Sequence, residues 1–125
     1  MSLLARIFTW WNGSTIGTNL FTSRFGEKVG EDEAGNVFYQ NAGGEKRWVI
    51  YNGEVEASRV SPDWHGWLHH TYDQPPTEAP LIRKSWEKAH KANQTGLPTA
   101  YVPPGSIRTA ETRPKVAGDY EAWSP

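Results

Sequence analysis

Three histidines, His65, His69 and His70, lie close together in the middle of the chain. His65 and His69 are four residues apart, so on a helix their imidazole rings lie on the same side. This spacing is typical of a histidine pair that binds zinc. The residues from which a third ligand would have to come are His70, Asp63, Asp73 and the distant His90. A metal site is therefore the first chemical hypothesis to test against the sequence.

The residue that follows the first histidine argues against zinc chemistry. Hydrolytic sites of this type need a glutamate there as general base, and Gly66 occupies the position. A histidine between tryptophans is more commonly a packing residue that hydrogen-bonds backbone or solvent. We therefore expect no bound metal. A zinc-dependent hydrolase that uses His65 and His69 stays open as the alternative from a different functional class.

Other catalytic patterns are missing from the sequence. The chain has no cysteine, and hence no thiolate nucleophile, disulfide or cysteine-ligated cluster. It contains neither a Gly-x-Ser-x-Gly nucleophile motif nor a glycine-rich nucleotide-binding loop. A net charge of -1 provides no basic face for nucleic acid. Nothing in the sequence by itself therefore argues for an enzyme or for a bound cofactor.

The histidines lie in the segment Pro62–Tyr72, which has the pattern of a short helix. Pro62 suits the first helical turn. Trp64, Trp67 and Leu68 follow at i, i+3 and i+4 and share one face. We expect both tryptophans to be buried against a sheet.

Short apolar runs separated by turn residues precede this helix and predict the sheet. The turn residues 33–36 give the strongest hairpin signal, and Asn52-Gly53 is a second turn. The predicted strands are Leu20–Phe25, Lys28–Glu31, Val37–Gln40 and Arg47–Tyr51. The sequence therefore predicts an α+β fold, in which a small antiparallel meander of three or four strands carries the short helix on one face.

A short amphipathic helix is predicted over Leu3–Trp11, with Ser2 as its cap. Leu3, Ile7 and Trp11 form one apolar stripe. Two surroundings stay open for it: a protein surface, or a membrane interface. No apolar run approaches the ~20 residues that cross a bilayer, and the N-terminus does not resemble a secretory signal.

The chain after Asp73 differs in composition from the part before it. Eight of the nine prolines lie in residues 73–125, and apolar side chains are spread singly along this stretch. Such a segment has too few clustered apolar residues for a core, which favours an extended tail that orders on a partner. The predicted organisation is an N-terminal helix at 1–13, an α+β core at 14–72 and a partner-binding tail at 73–125.

Five stretches together resemble a known family: Gly35–Tyr39, Arg47–Tyr51, Pro62–His69, His90–Pro98 and Tyr101–Pro103. Their order and residues are similar to those of the seventeen-kilodalton accessory subunit of NADH:ubiquinone oxidoreductase, respiratory complex I. The resemblance runs from about Trp10 to Pro104, and the ending Asp119–Pro125 resembles the bacterial form. It implies an accessory subunit with no redox centre.

The resemblance also implies partners and a location. The expected partners are complex I subunits of the peripheral arm, above all the ferredoxin-like iron–sulfur subunit and the quinone-module subunits. The expected location is the cytoplasmic side of a bacterial inner membrane, peripheral and without a transmembrane segment. Related assembly factors share the tryptophan–histidine motif, so a transient assembly role is the alternative, although the long tail favours a permanent subunit. The predicted partner-binding or structural residues are Trp10, Trp11, Trp48, Tyr51, Trp64, His65, Trp67, His69, Trp86, Tyr101 and Trp123.

Overall fold

A computed structural model describes residues 7–8 and 13–124. Its elements are helix α1 (Ile16–Phe25), strands β1 (Glu27–Glu31), β2 (Val37–Gln40) and β3 (Arg47–Ile50), a 3-10 turn at Ala57–Arg59, and helix α2 (Pro62–Leu68). This arrangement confirms the predicted α+β fold. Of the predicted N-terminal helix, Ile7 and Phe8 are helical and exposed, while Trp10, Trp11 and the remaining positions lie outside the described residues.

The three strands form one antiparallel sheet in the order β1-β2-β3. The turn between β1 and β2 is built on Asp32, whose Oδ1 accepts the backbone N–H groups of Ala34 at 3.0 Å and Asn36 at 2.9 Å. Gly35 has a φ of 79°, which is unfavourable for residues with a side chain. The predicted hairpin and the strand positions on both sides of it are confirmed.

The prediction of a strand over Leu20–Phe25 is wrong, because these residues belong to α1. The Thr15 side chain caps the helix by accepting the N–H of Thr18 at 3.2 Å. The face of α1 nearest the sheet carries Thr22, whose Oγ1 accepts the indole N–H of Trp48 at 2.9 Å. Local propensity of the Leu-Phe run favours a strand, and the contact with β3 favours the helix. The sheet therefore has three strands among the described residues.

Helix α2 ends at Leu68, four residues before the predicted end at Tyr72. His70 adopts a left-handed conformation with a φ of 57°, and Thr71 then donates its N–H to the carbonyl of Gly66 at 2.9 Å. This reversal returns the Tyr72 ring across the helix, where a Cβ at Gly66 would overlap it. Gly66 therefore has a packing function at the position where a zinc hydrolase would need its glutamate.

The core between the sheet and α2 is aromatic. Phe38 stacks on Trp64 with ring centroids 4.0 Å apart and planes 6° apart. Trp67 meets both rings edge-on, at 6.4 Å from Phe38 and 5.6 Å from Trp64. With Val60, these are the buried hydrophobic residues of the described chain, and the predicted burial of both tryptophans is confirmed.

The chain forms two compact units, with the boundary after Asn93. The first contains the sheet, both helices and residues 73–93. The second, 94–125, consists of successive turns, such as those closed by the N–H groups of Ala100 and Thr109. The division into 1–13, 14–72 and 73–125 stays a prediction.

Replacement of Trp64 by alanine is expected to lower the free energy of unfolding of the first unit by roughly 3–5 kcal/mol, because it leaves a cavity against Phe38. Hydrogen exchange of the β2 and β3 amides, with the protein in its native assembly, measures this loss. His65→Ala is the matched control on the same helix. His65 is exposed, so its loss is expected to cost no more than one hydrogen bond, about 1 kcal/mol. Equal damage from the two variants would assign the histidine a ligand or network function.

The isolated chain is expected to be largely unfolded or aggregated, because so few buried residues must offset the ordering of a long chain. The check is a thermal melt followed by tryptophan fluorescence. A sharp cooperative transition of the monomer, with Trp86 and Trp123 already in an apolar environment before melting, would contradict this expectation.

Candidate partner-docking site

The histidine pair of α2 lies on the exposed side of the helix. The rings of His65 and His69 are neighbours, with centroids 4.2 Å apart. Asp63 instead lies beside Arg83, and the His90 ring hydrogen-bonds the carbonyl of Ser58 at 2.8 Å. In residues 7–8 and 13–124, no three His, Cys, Asp or Glu side chains are grouped to hold a metal ion. The described residues therefore show a packed and solvated histidine pair without a third ligand.

Arg47 organises the end of α2. Its Nη1 donates to the carbonyls of Trp67 at 2.6 Å and Tyr72 at 2.9 Å, and its Nη2 donates to that of Asp73 at 3.3 Å. The guanidinium carbon lies 4.8 Å from the centroid of the Trp67 ring. A cation at a helix C-terminus also interacts favourably with the helix dipole. One side chain of β3 thus joins the sheet, the helix and the segment that follows.

Trp48 and Tyr51 occupy different positions around the sheet. Trp48 is half-buried on the face opposite α2, with its ring 6.2 Å from Tyr39 and 5.4 Å from Phe21. Tyr51 packs against the edge of the aromatic core. Burial raises the pKa of the Tyr51 hydroxyl above its ordinary value. Both residues therefore have structural contacts within this chain.

The segment 73–93 is attached to the first unit at several points. Arg83 Nη2 lies 2.9 Å from Asp63 Oδ1, at ion-pair distance without hydrogen-bond geometry. Further along, the Asn93 N–H donates to Ser58 Oγ at 2.9 Å, next to the His90 contact. These contacts fix the course of the backbone in this segment, but most of the side chains of the segment stay exposed.

Three predicted docking residues carry large exposed rings in this part of the chain. Trp86 is 78% exposed in the first unit, and Tyr101 and Trp123 are 84% and 83% exposed in the second. Further apolar side chains share this property: Ile82, Leu97, Ile107, Val116 and Tyr120. These exposed rings are candidate docking residues of each unit, because tryptophan and tyrosine are enriched in protein interfaces.

The second unit has its own internal polar contact. Arg113 pairs with Asp119 at 2.6 Å, and Asp119 also accepts the N–H of Val116 at 2.9 Å. The Arg113 hydrogen bond, followed by that from Val116, holds the pKa of Asp119 below its ordinary value. Hydrogen bonds therefore fix the local conformation of the tail between Arg113 and Asp119.

Sequence reasoning missed two polar elements of the fold. Asn36 is fully buried, donates to Asp32 Oδ2 at 2.8 Å, and accepts the N–H of Asn52 at 3.0 Å. The Asp–x–x–Gly–Asn spacing of the hairpin was a usable signal for the first of these bonds. The bonds from Arg47 to the end of α2 had no local signal, because the partners lie 20 to 26 residues away.

The fold and the site define a small α+β protein with exposed aromatic anchors, and the described residues contain no recognisable catalytic grouping. None of the described helices is long and apolar enough to cross a membrane.

Comparison with known proteins identifies the family. Residues 26–125 match the family described as NADH ubiquinone oxidoreductase subunit NDUFA12, and the chain belongs to this family. It is 42% identical over 98 residues to NADH dehydrogenase (ubiquinone) 1 alpha subcomplex subunit 12 of Bos taurus, with 68% of each chain covered. The subunit of the same name from Dictyostelium discoideum is 34% identical over 93 residues, with 70% of this chain and 67% of the relative covered.

A bacterial relative also matches. An uncharacterised protein of Rickettsia prowazekii is 34% identical over 77 residues, which cover 57% of this chain and 75% of the relative. The resemblance stated from the sequence motifs, including its bacterial form, is confirmed. The family is one of non-catalytic accessory subunits of complex I, and nothing in these comparisons points to a zinc hydrolase.

Arg47→Ala is expected to loosen the end of α2, because charge-assisted hydrogen bonds contribute roughly 1.5–3 kcal/mol each and the carbonyls of Trp67, Tyr72 and Asp73 lose a charged donor. Hydrogen exchange at Thr71 and Tyr72 in the native assembly measures the effect. Arg47→Lys is the matched control: it keeps the charge but loses the planar fork, so partial protection is expected. Unchanged protection in Arg47→Ala would show that Gly66 and Tyr72 hold this turn alone.

Proposed function

We propose that this protein is an accessory subunit of respiratory complex I, bound along the peripheral arm near the quinone module. Its function there is to stabilise that arm or to aid its assembly. Family membership supports the complex as the setting. Since the family has no catalytic function of its own, the contribution of this chain is one of binding.

The observation that carries the proposal is the exposure of Trp86, Tyr101 and Trp123 along one continuous stretch. Burial of one tryptophan or tyrosine removes about 150–250 Å² from water, worth roughly 4–6 kcal/mol at ~25 cal/mol per Å². The aromatic core of Phe38, Trp64 and Trp67 has no room for further rings. We therefore infer that the exposed rings bind surfaces of other subunits.

The neighbours in the proposal are the ferredoxin-like iron–sulfur subunit and the quinone-module subunits. The proposed location is the cytoplasmic side of a bacterial inner membrane. The bacterial relative supports a bacterial setting. Named relatives are called subunits, which supports permanent residence in the complex over the alternative of a transient assembly factor.

In this binding mode the two units have different functions: the first unit docks, and the second contributes to retention. The first unit folds and docks on the complex, and its attachment raises the effective concentration of each anchor that follows. Each anchor then adds modestly to a large total. The tail is thus expected to slow dissociation more than it determines where the protein binds.

Removal of Pro104–Pro125 is expected to weaken retention in the complex without abolishing docking of the first unit. The measurement is quantitative mass spectrometry of complex I purified from a strain with this truncation, before and after washing with salt and detergent. NADH oxidation with artificial acceptors is expected to persist, because the proposed role places no redox group in this chain.

A full-length variant with Ile107, Tyr120 and Trp123 replaced by serine is the matched control for chain length. Its losses are expected to equal those of the truncation, since the anchors rather than the length hold the tail. Full occupancy of the truncated subunit under washing that leaves the parent complex intact would refute the function of the tail. Absence of the parent protein from purified complex I would refute the proposed function itself.

A further inference from the structure

The segment Ile82–Lys88, which we call the Trp86 turn, has a shape fixed by its own hydrogen bonds. The carbonyl of Lys84 accepts the N–H of Glu87 at 3.0 Å, which closes a β-turn with Trp86 at its third position. The Glu87 carboxylate accepts the N–H of Lys84 at 3.1 Å and pairs with Arg83 at 3.4 Å. Trp86 is thus displayed at the tip of an ordered turn.

The Trp86 turn is also held to the first unit on both sides. Before it, Arg83 pairs with Asp63 in the first turn of α2 at 2.9 Å. After it, His90 and Asn93 both hydrogen-bond Ser58, at 2.8 and 2.9 Å. Once the first unit is folded on the complex, a loop held in this way loses little further conformational entropy on contact with a partner, so more of its contact energy remains as affinity.

The apolar side chains of the Trp86 turn face solvent. Trp86 is 78% exposed and Ile82 is 86% exposed, although the backbone between them is attached to the fold. Tryptophan is over-represented among the few residues that supply most of the energy of a protein interface. The contacts that attach this segment to the first unit therefore leave both side chains exposed and available to a partner.

Among the described residues, the carboxylates beside the Trp86 turn are paired with Arg83, whereas the two lysines of the turn pair with no carboxylate. The carboxylates of Asp63 and Glu87 are both engaged by Arg83. Lys84 and Lys88 flank Trp86, and within residues 7–8 and 13–124 no carboxylate lies at ion-pair distance from either ammonium group. An apolar centre with a positive rim is complementary to an apolar pocket with a negative rim.

We propose that the Trp86 turn inserts Trp86 and Ile82 into an apolar pocket rimmed by carboxylates on a neighbouring protein subunit of the complex. This inference rests on the proposed function and identifies the chemistry of the partner surface. The lysines steer and orient the contact, and the tryptophan determines how long it lasts.

The experiment measures how fast the subunit leaves detergent-solubilised complex I. Complexes carrying the parent chain, Trp86→Ala, Trp86→Phe or the double variant Lys84→Glu/Lys88→Glu are washed at about 0.05 M and about 0.5 M salt, where charge screening differs strongly. The subunit remaining is quantified by mass spectrometry relative to an iron–sulfur subunit. Trp86→Ala is expected to leave about 30-fold faster, the change typical of a lost interface anchor, and Trp86→Phe is expected to recover most of the retention.

The double lysine variant would place carboxylates against the carboxylates of the pocket rim, and this repulsion is expected to make the subunit leave faster, chiefly at low salt, where it is least screened. Lys115→Glu, a charge reversal at an exposed position of the second unit, is the matched control and is expected to change retention little. An equal effect of Lys115→Glu would show a response to net charge and would overturn the proposed rim.

Three further results would overturn the inference. Parental retention of Trp86→Ala while the parent subunit is present in the complex would show that the turn does not bind a protein pocket. A loss seen in native membranes but not in solubilised complex would identify a lipid surface instead. A loss of hydrogen-exchange protection at β2 and β3 in Trp86→Ala would show that Trp86 supports the fold. Absence of the parent subunit from the complex, by contrast, would refute the proposed function before this inference is reached.

Discussion

The stacking of Phe38 on Trp64 joins the sheet to α2, and the rest of the first unit depends on this contact. Phe38 lies on the central strand, so its ring meets whatever covers the sheet. Trp67 completes the contact at right angles, and close packing leaves no room for a side chain at Gly30 against the Trp64 ring. A small chain thereby obtains a fixed core from three rings, each of which buries far more area than an aliphatic side chain.

Arg47 extends this order beyond the core. Its guanidinium lies over Trp67 and binds the carbonyl of Trp67 near the end of α2 and those of Tyr72 and Asp73 in the segment that follows. The chain then leaves the helix in a defined direction. In the following segment, 73–93, His90 hydrogen-bonds Ser58 and Arg83 pairs with Asp63. The first unit therefore includes a stretch, 73–93, whose composition alone is typical of an extended tail.

The aromatic residues have two distinct functions. Phe38, Trp64 and Trp67 stabilise the fold and are inaccessible to a partner, whereas Trp86, Tyr101 and Trp123 are exposed and contribute little to it. Trp48 is intermediate, since its indole binds Thr22 while one side of the sheet stays partly open. In the proposed function, the inner rings stabilise the fold and the outer rings bind neighbouring subunits.

The sequence by itself determined the family, the α+β class, the hairpin at Asp32–Asn36, the strands β2 and β3, and the burial of Trp64 and Trp67. These features depend on local signals, namely turn chemistry, β-branched and aromatic runs, and the i, i+3 spacing of the tryptophans. Only the tertiary structure decided that Leu20–Phe25 is helical, that α2 stops at Leu68, and that Asp63 and His90 are engaged elsewhere than at a metal. In each case the deciding contact joins residues far apart in sequence, such as Trp48 with Thr22, Arg47 with Tyr72, and His90 with Ser58. Periodicity in a single sequence describes neighbours along the chain, and these contacts are made between segments that only folding brings together.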